Sequence, residues 1–254
     1  MSSNTKSYIL KLIFFLKAVL FFTLNHSVAF SQGLERVIVE EYFVNHTQKI
    51  DEIPDSAITY RIYVDLEPGY RLQTIYGAPY HPFRFETSTA FYNHRHGNLM
   101  GDNLVETMLN DMSYVLDSYV TIGAASNSHM GVLLGDDKDG SLLNTQFFKE
   151  NDGLKKDSIG ELIYYNLEPD IFSAENGSVF ESENFLIGSY GGVSGPTPEN
   201  RILIAQLTTD GDLSFEINIQ IAKPKEDPIQ FVARQPVAEG IYFEDLTYGA
   251  RKSH

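Results

Sequence analysis

The segment Gly135-Asp136-Asp137-Lys138-Asp139-Gly140-Ser141 places three carboxylates within four residues and follows them with glycine. Hard cations such as Ca²⁺ take oxygen ligands, and an Asp-x-Asp-Gly core is one way a loop supplies them. With Asp137 as the first position of an EF-hand loop, the twelfth is Phe148 rather than glutamate, so that loop type fails. What remains is a simpler calcium loop using Asp136, Asp137, Asp139 and backbone carbonyls, set against an ordinary solvated acidic turn. Asp210 and Asp212 pose the same choice in a second Asp-Gly segment, where they read as turn residues.

Other chemistry is thinner. His94 and His96 stand two apart and would share a face on a strand, where both could hold a transition metal; His81 and His129 lie further off. Their neighbours Asn93, Arg95, Gly97 and Asn98 read as a loop, and Arg95 repels a cation, so exposed loop histidines are expected. Gly192-Val193-Ser194-Gly195-Pro196 approaches a nucleophile elbow but has proline where the second glycine belongs. There is no cysteine, which excludes thiol catalysis. Carboxylate pairs for glycoside hydrolysis stay open, with nothing marking one pair above another. Fifteen tyrosines and seventeen phenylalanines accompany no tryptophan. Flat rings beside polar groups suit sugars, so Tyr63, Tyr70, Tyr80 and Tyr92, with Tyr42 nearby, form a candidate ligand platform. The competing explanation is that tyrosine is simply a good strand residue. Asn45-His46-Thr47 and Asn176-Gly177-Ser178 match glycosylation acceptors and read as coincidence.

The elements that would carry these residues are mostly strands. Leu213, Phe215, Ile217, Ile219 and Ile221 alternate with Ser214, Glu216, Asn218 and Gln220, the period-two pattern of a sheet with one dry face. An apolar run over 201–208 precedes it across Thr209-Asp210-Gly211-Asp212, which predicts a hairpin. Tyr60, Ile62, Val64 and Leu66 alternate likewise and lead through Glu67-Pro68-Gly69-Tyr70 into 71–76, a second predicted hairpin around a type II turn. Further strands are expected over 37–44, 82–92, 117–123, 185–188 and 241–244. Over 103–116 the apolar residues Leu104, Val105, Met108, Leu109, Met112, Val115 and Leu116 fall near a period of 3.6, predicting one short helix that Asn103 would cap. The expected fold class is all-β, an antiparallel β-sandwich with that one helix.

Residues 1–31 read as a signal peptide: Lys6 and Lys11 precede an apolar run over 12–24, and Ala29 and Ser31 place cleavage before Gln32. Lys17 interrupts the run, which falls short of the roughly 20 apolar residues that span a bilayer. No second run of that length follows, so no membrane insertion is expected after removal, and without cysteine no lipoprotein anchor. Removing 31 of 254 residues leaves 223, enough for a core without disulfides. It also removes three lysines and no acid, taking the net charge from −15 to −18. Such a field repels polyanions, so nucleic acid is not an expected partner. The domain is expected over 32–222, with 223–254 a tail broken by Pro224, Pro228 and Pro236 that holds at most an edge strand.

Several motifs occur in a fixed order: Thr59-Tyr60-Arg61-Ile62-Tyr63-Val64, Tyr76-Gly77 with Pro82, and Leu116-Asp117-Ser118-Tyr119-Val120-Thr121-Ile122-Gly123. Gly195-Pro196-Thr197-Pro198-Glu199-Asn200 and Leu203-Ile204-Ala205-Gln206-Leu207-Thr208-Thr209 follow. Together, over 33–221, they resemble an uncharacterised module of extracellular proteins from marine Bacteroidetes and other aquatic bacteria. The resemblance implies secretion, to the cell surface, the periplasm or beyond, and carries no catalytic residue. The chain ends soon after the module, which favours a released protein or a subunit of something larger. The leading expectation is a non-catalytic module in adhesion or extracellular assembly, whose partner is polysaccharide or another surface protein. A carbohydrate-binding module and a carboxylate-dependent glycoside hydrolase are the alternatives.

Overall fold

Alternating residues become strands in the computed structural model, which describes residues 32–47, 49–137, 162–167, 177–235 and 240–249. β1 (Leu34–Val44) pairs antiparallel with β2 (Ile58–Leu66). β3 (Arg71–Gly77) and β4 (Phe83–Thr87) follow. After α1 (Met112–Val115), the one α-helix among the described residues, come β5 (Tyr119–Val120), β6 (Leu162–Tyr165), β7 (Val179–Ser182), β8 (Phe185–Val193) and β9 (Arg201–Thr209). β10 (Leu213–Glu216) and β11 (Asn218–Ala222) lead to β12 (Ile229–Val232), β13 (Ile241–Tyr242) and β14 (Thr247–Tyr248). Among the described residues three sheets result, ordered β1-β2-β9-β5, β14-β10-β4-β7 and β13-β12-β11-β3-β8-β6.

The fold is all-β and antiparallel throughout the described strands except at the β12–β13 pair. A plain sandwich has two sheets; here three share one core. Ile62, Val64 and Ile204 come from the first sheet, Phe85, Phe180 and Phe215 from the second, and Ile75, Ile187 and Ile219 from the third. Phe83 sits at the junction, with its ring centroid 4.8 Å from Phe85 and 4.7 Å from Phe185.

Neither predicted hairpin joins paired strands, and only the first closes as its turn type requires; Asp210-Gly211 is a bend without positive φ at Gly211. Tyr70 N–H donates to the Glu67 carbonyl at 3.1 Å, and Gly69 adopts φ +90°, as a type II turn requires. Yet β2 lies between β1 and β9, while β3 lies between β11 and β8. The Asp210-Gly211 bend likewise carries the chain from β9 in the first sheet to β10 in the second. The predicted strand over 213–221 divides at Ile217, whose N–H donates to the Leu246 carbonyl, so β10 and β11 belong to different sheets. Alternation survives the switch: Leu213, Phe215, Ile217, Ile219 and Ile221 are all buried. Asn218 holds the corner, its amide donating to the carbonyls of Tyr76, His81 and Pro82 and accepting from Ala233 N–H.

The predicted helix is shorter than its pattern. Gly101–Asn103 and Glu106–Met108 are 3₁₀ turns, and only Met112–Val115 is α-helical, capped by the Asp111 carboxylate rather than by Asn103. Two backbone donors that a continuous helix would use are taken by side chains. Val105 N–H donates to Tyr114 Oη at 2.7 Å and Glu106 N–H to Asn127 Oδ1 at 3.1 Å. Leu104, Leu109 and Val115 still bury together, against Tyr63 and Leu203 of the first sheet. The segment after 223 supplies β12, β13 and β14, which extend two of the sheets.

Candidate functional site

The residues singled out by sequence do not converge. The Asp136 carboxylate accepts from Arg201 Nη1 at 3.0 Å, and Arg201 also reaches Asp65 at 3.4 Å. Asp137 N–H closes a turn onto the Leu133 carbonyl, and Asp139 lies outside the described residues. Among the described residues no three His, Asp or Glu side chains gather as a metal ion needs. Tyr63 is fully buried, Tyr70 is buried in the principal core, Tyr92 packs against a separate cluster with Tyr42, and Tyr80 is exposed. These tyrosines therefore occupy different surroundings rather than one platform. Asn45 is buried, with its amide donating to the carbonyls of Ile50, Ile53 and Pro54, while Asn176 lies outside the described residues.

His94 is a correction to the expectation of exposed histidines. Its side chain is only 7% exposed, 3.7 Å from Asp111 and edge-on to Tyr114. Burial lowers its pKa, against the pull of Asp111. Its Nδ1 accepts from His96 N–H at 3.2 Å, so the pair is spent on loop geometry. Asp117 organises the same loop. Its two oxygens accept from His94 N–H at 2.7 Å and Asn98 N–H at 2.8 Å. Gly97 passes so close that a Cβ there would meet Asp117 Oδ2 at 1.9 Å.

Sequence reasoning missed a polar row across the first sheet. Glu40, Arg61, Gln206 and Tyr119 are successive cross-strand partners on β1, β2, β9 and β5. Arg61 is buried, with Nε donating to Gln206 Oε1 at 2.8 Å and its guanidinium 3.6 Å from the centre of the Tyr42 ring. Gln206 Nε2 donates to the carbonyls of Val115 and Asp117, both at 2.8 Å. Tyr63 donates to the Val132 carbonyl at 2.7 Å, and Glu40 accepts from Leu134 N–H at 2.8 Å. Burial raises the pKa of Glu40 and pushes Tyr119 to about 12. An irregular segment over a sheet has no ladder to satisfy its backbone, and this row supplies the missing partners. Its chemistry is structural.

Among the described residues a concave, solvent-reached feature lies on the second sheet. A groove of about 940 Å³ runs over β4, β10 and β14. Glu86 faces Ser214 and Arg84 faces Glu216 across β4 and β10, so these four share a face. Tyr60 of β2 and Tyr248 of β14 add aromatic surface, and Ser88 and Asp212 add polar groups. Tyr248 stacks on Phe215, rings 5.4 Å apart, and stays 40% exposed. Burial, then the charges at Tyr248, Glu41 and Asp212, raise the Tyr60 phenol, which places those groups around it. Arg84 lies 2.8 Å from Glu86 and 3.2 Å from Glu181. Arg234 grips Glu216 with two bonds, of 2.6 and 3.2 Å. The groove itself was not legible in the sequence, because Phe85 stands opposite Phe215, 130 residues further on, and the turns gave no hint that β4 and β10 pair.

Among the described residues no helix is long and apolar enough to cross a membrane. No family model, curated protein or solved structure matches the chain.

Proposed function

We propose that this chain is a secreted, non-catalytic module of adhesion or extracellular assembly that engages a glycan in the groove over β4, β10 and β14. The observation that carries this reading is the groove's lining, where the rings of Tyr60 and Tyr248 meet hydroxyls and carboxylates in one open concavity. Sugars present apolar ring faces beside dense hydroxyls, and such a mixed surface complements both. Glycoside hydrolysis needs two carboxyl groups free to act as acid and as base or nucleophile. Both glutamates of this groove are engaged by arginines instead, Glu86 by Arg84 and Glu216 by Arg234. The signal-like N-terminus and the resemblance to extracellular modules support secretion.

The test is retention of the purified chain on a panel of insoluble polysaccharides, compared with Tyr248→Ala. Losing one aromatic contact worth about 1.4 kcal/mol weakens binding about tenfold. Ser214→Arg, which fills the groove without touching the core, should abolish retention. Absence of retention on every polymer, or retention indifferent to both substitutions, would sink the proposal.

A further inference from the structure

We infer that the groove takes an uncharged glycan and excludes acidic ones, with Asp212 as the specificity-determining contact for the ligand's hydroxyls. This rests on the groove being the glycan site proposed above. Its lining holds three carboxylates, Asp212, Glu86 and Glu216, against one basic residue, Arg84. Arg84 is held between Glu86 and Glu181, so its charge is already balanced by two carboxylates. Glu216 is likewise occupied, by Arg234.

Asp212 differs from both. It is exposed, its backbone N–H donates to Ser88 Oγ at 2.9 Å, and its carboxylate makes no hydrogen bond or ion pair among the described residues. A free carboxylate accepts through both oxygens and donates nothing, so its complement is a pair of donors. Neighbouring hydroxyls of a sugar ring are such a pair, and bonds to a charged acceptor are stronger than neutral ones. A sulfate or uronate would instead meet three carboxylates and one guanidinium whose charge Glu86 and Glu181 already balance, although unbalanced cations are the groups that recognise such anions. The chain's net charge of −15 opposes the approach of a polyanion in the same sense.

Affinity electrophoresis through gels containing soluble polysaccharides tests this directly. The neutral probes are a glucan, a mannan and a xylan; the acidic probes are a sulfated galactan and an alginate. At least one neutral polymer should retard the chain, and the acidic ones should not. Asp212→Asn, which keeps the shape but replaces one acceptor oxygen with a donor, should weaken neutral binding roughly tenfold to a hundredfold. Glu226→Gln, an exposed acid outside the groove, should leave it unchanged. Equal or stronger retardation by the acidic polymers would overturn the charge selection while leaving a glycan site standing. Unchanged binding by Asp212→Asn would remove that residue's role. No retardation by any polymer would remove the glycan reading together with this inference.

Discussion

Three backbone amides point at Asp117, those of His94, Asn98 and Ser118, and each favours the ionised carboxylate. Burial acts the other way and outweighs them, so its pKa is pushed up to about 7. An unfolded aspartate titrates near 3.9. Between about pH 4 and 7 the folded chain therefore keeps a proton that the unfolded chain has released. The stabilisation is complete below about pH 4 and is lost as pH rises through about 7. Relative to Asp117→Asn, which cannot titrate, the parent chain should lose up to about 4 kcal/mol between pH 4 and pH 8. Urea unfolding of both proteins at the two pH values measures this, and a pH-independent difference would mean that Asp117 is ionised throughout. In the sequence Asp117 is one acid beside an apolar run, and nothing marks it above Asp136 or Asp137. What sets it apart is the loop at 94–98 folding onto it, and that contact spans about twenty residues of chain with no spacing rule.

At the scale of elements, local signals told truly what each segment does and not what it meets. Gly69 sits in a turn as Pro-Gly predicts and Gly211 in a bend without the positive φ that Asp-Gly allows, and both links join different sheets, because turn chemistry does not choose a strand's partner. Ile217 keeps its place in the alternation while the strand changes sheets around it. The 3.6 spacing over 103–116 marked a buried face only in part: Leu104, Leu109 and Val115 share one cluster, Leu116 and Met112 join another, and Val105 is exposed, because 3₁₀ turns with three residues per turn do not keep a helix's single stripe. The polar row was illegible for a related reason. Arg61 and Gln206 look like the outward residues of half-buried strands, and only the segment folded over them makes them interior. Gln206 is the clasp between that segment and the sheet. Gln206→Ala should leave the Val115 and Asp117 carbonyls and Arg61 Nε without their partners, at a cost of about 3–5 kcal/mol. Gln220→Ala, in the partly exposed ladder of Gln73, Gln220 and Gln230, should cost about 0.5 kcal/mol or less. Chemical denaturation of the two variants decides it; equal effects would show that the row does not hold the segment down.

For the whole molecule, three sheets round one core explain how a chain without a single disulfide or tryptophan stays folded, with Phe83, Phe85, Phe180 and Phe185 filling the junction. The same chain carries 34 acidic residues against 19 lysines and arginines, so its compact state concentrates like charge. Self-repulsion of this kind opposes folding and is screened by salt, because the Debye length falls from about 30 Å at 0.01 M to about 3 Å at 1 M. Salt also weakens ion pairs, but exposed pairs such as Lys49–Asp55 contribute little to begin with. Repulsion should dominate the sum. At pH 8 the melting temperature should rise by several degrees between 0.01 and 0.5 M NaCl, on the order of 1–2 kcal/mol for a chain of this size. Near pH 4.8, where the net charge vanishes, the same salt change should leave the melt almost unmoved. Both arms compare salt at fixed pH, so the titration of Asp117 drops out of each difference. A melt that falls with salt at pH 8 would mean that attractive pairs, including the arginine–glutamate pairs beside the groove, outweigh the excess of negative charge.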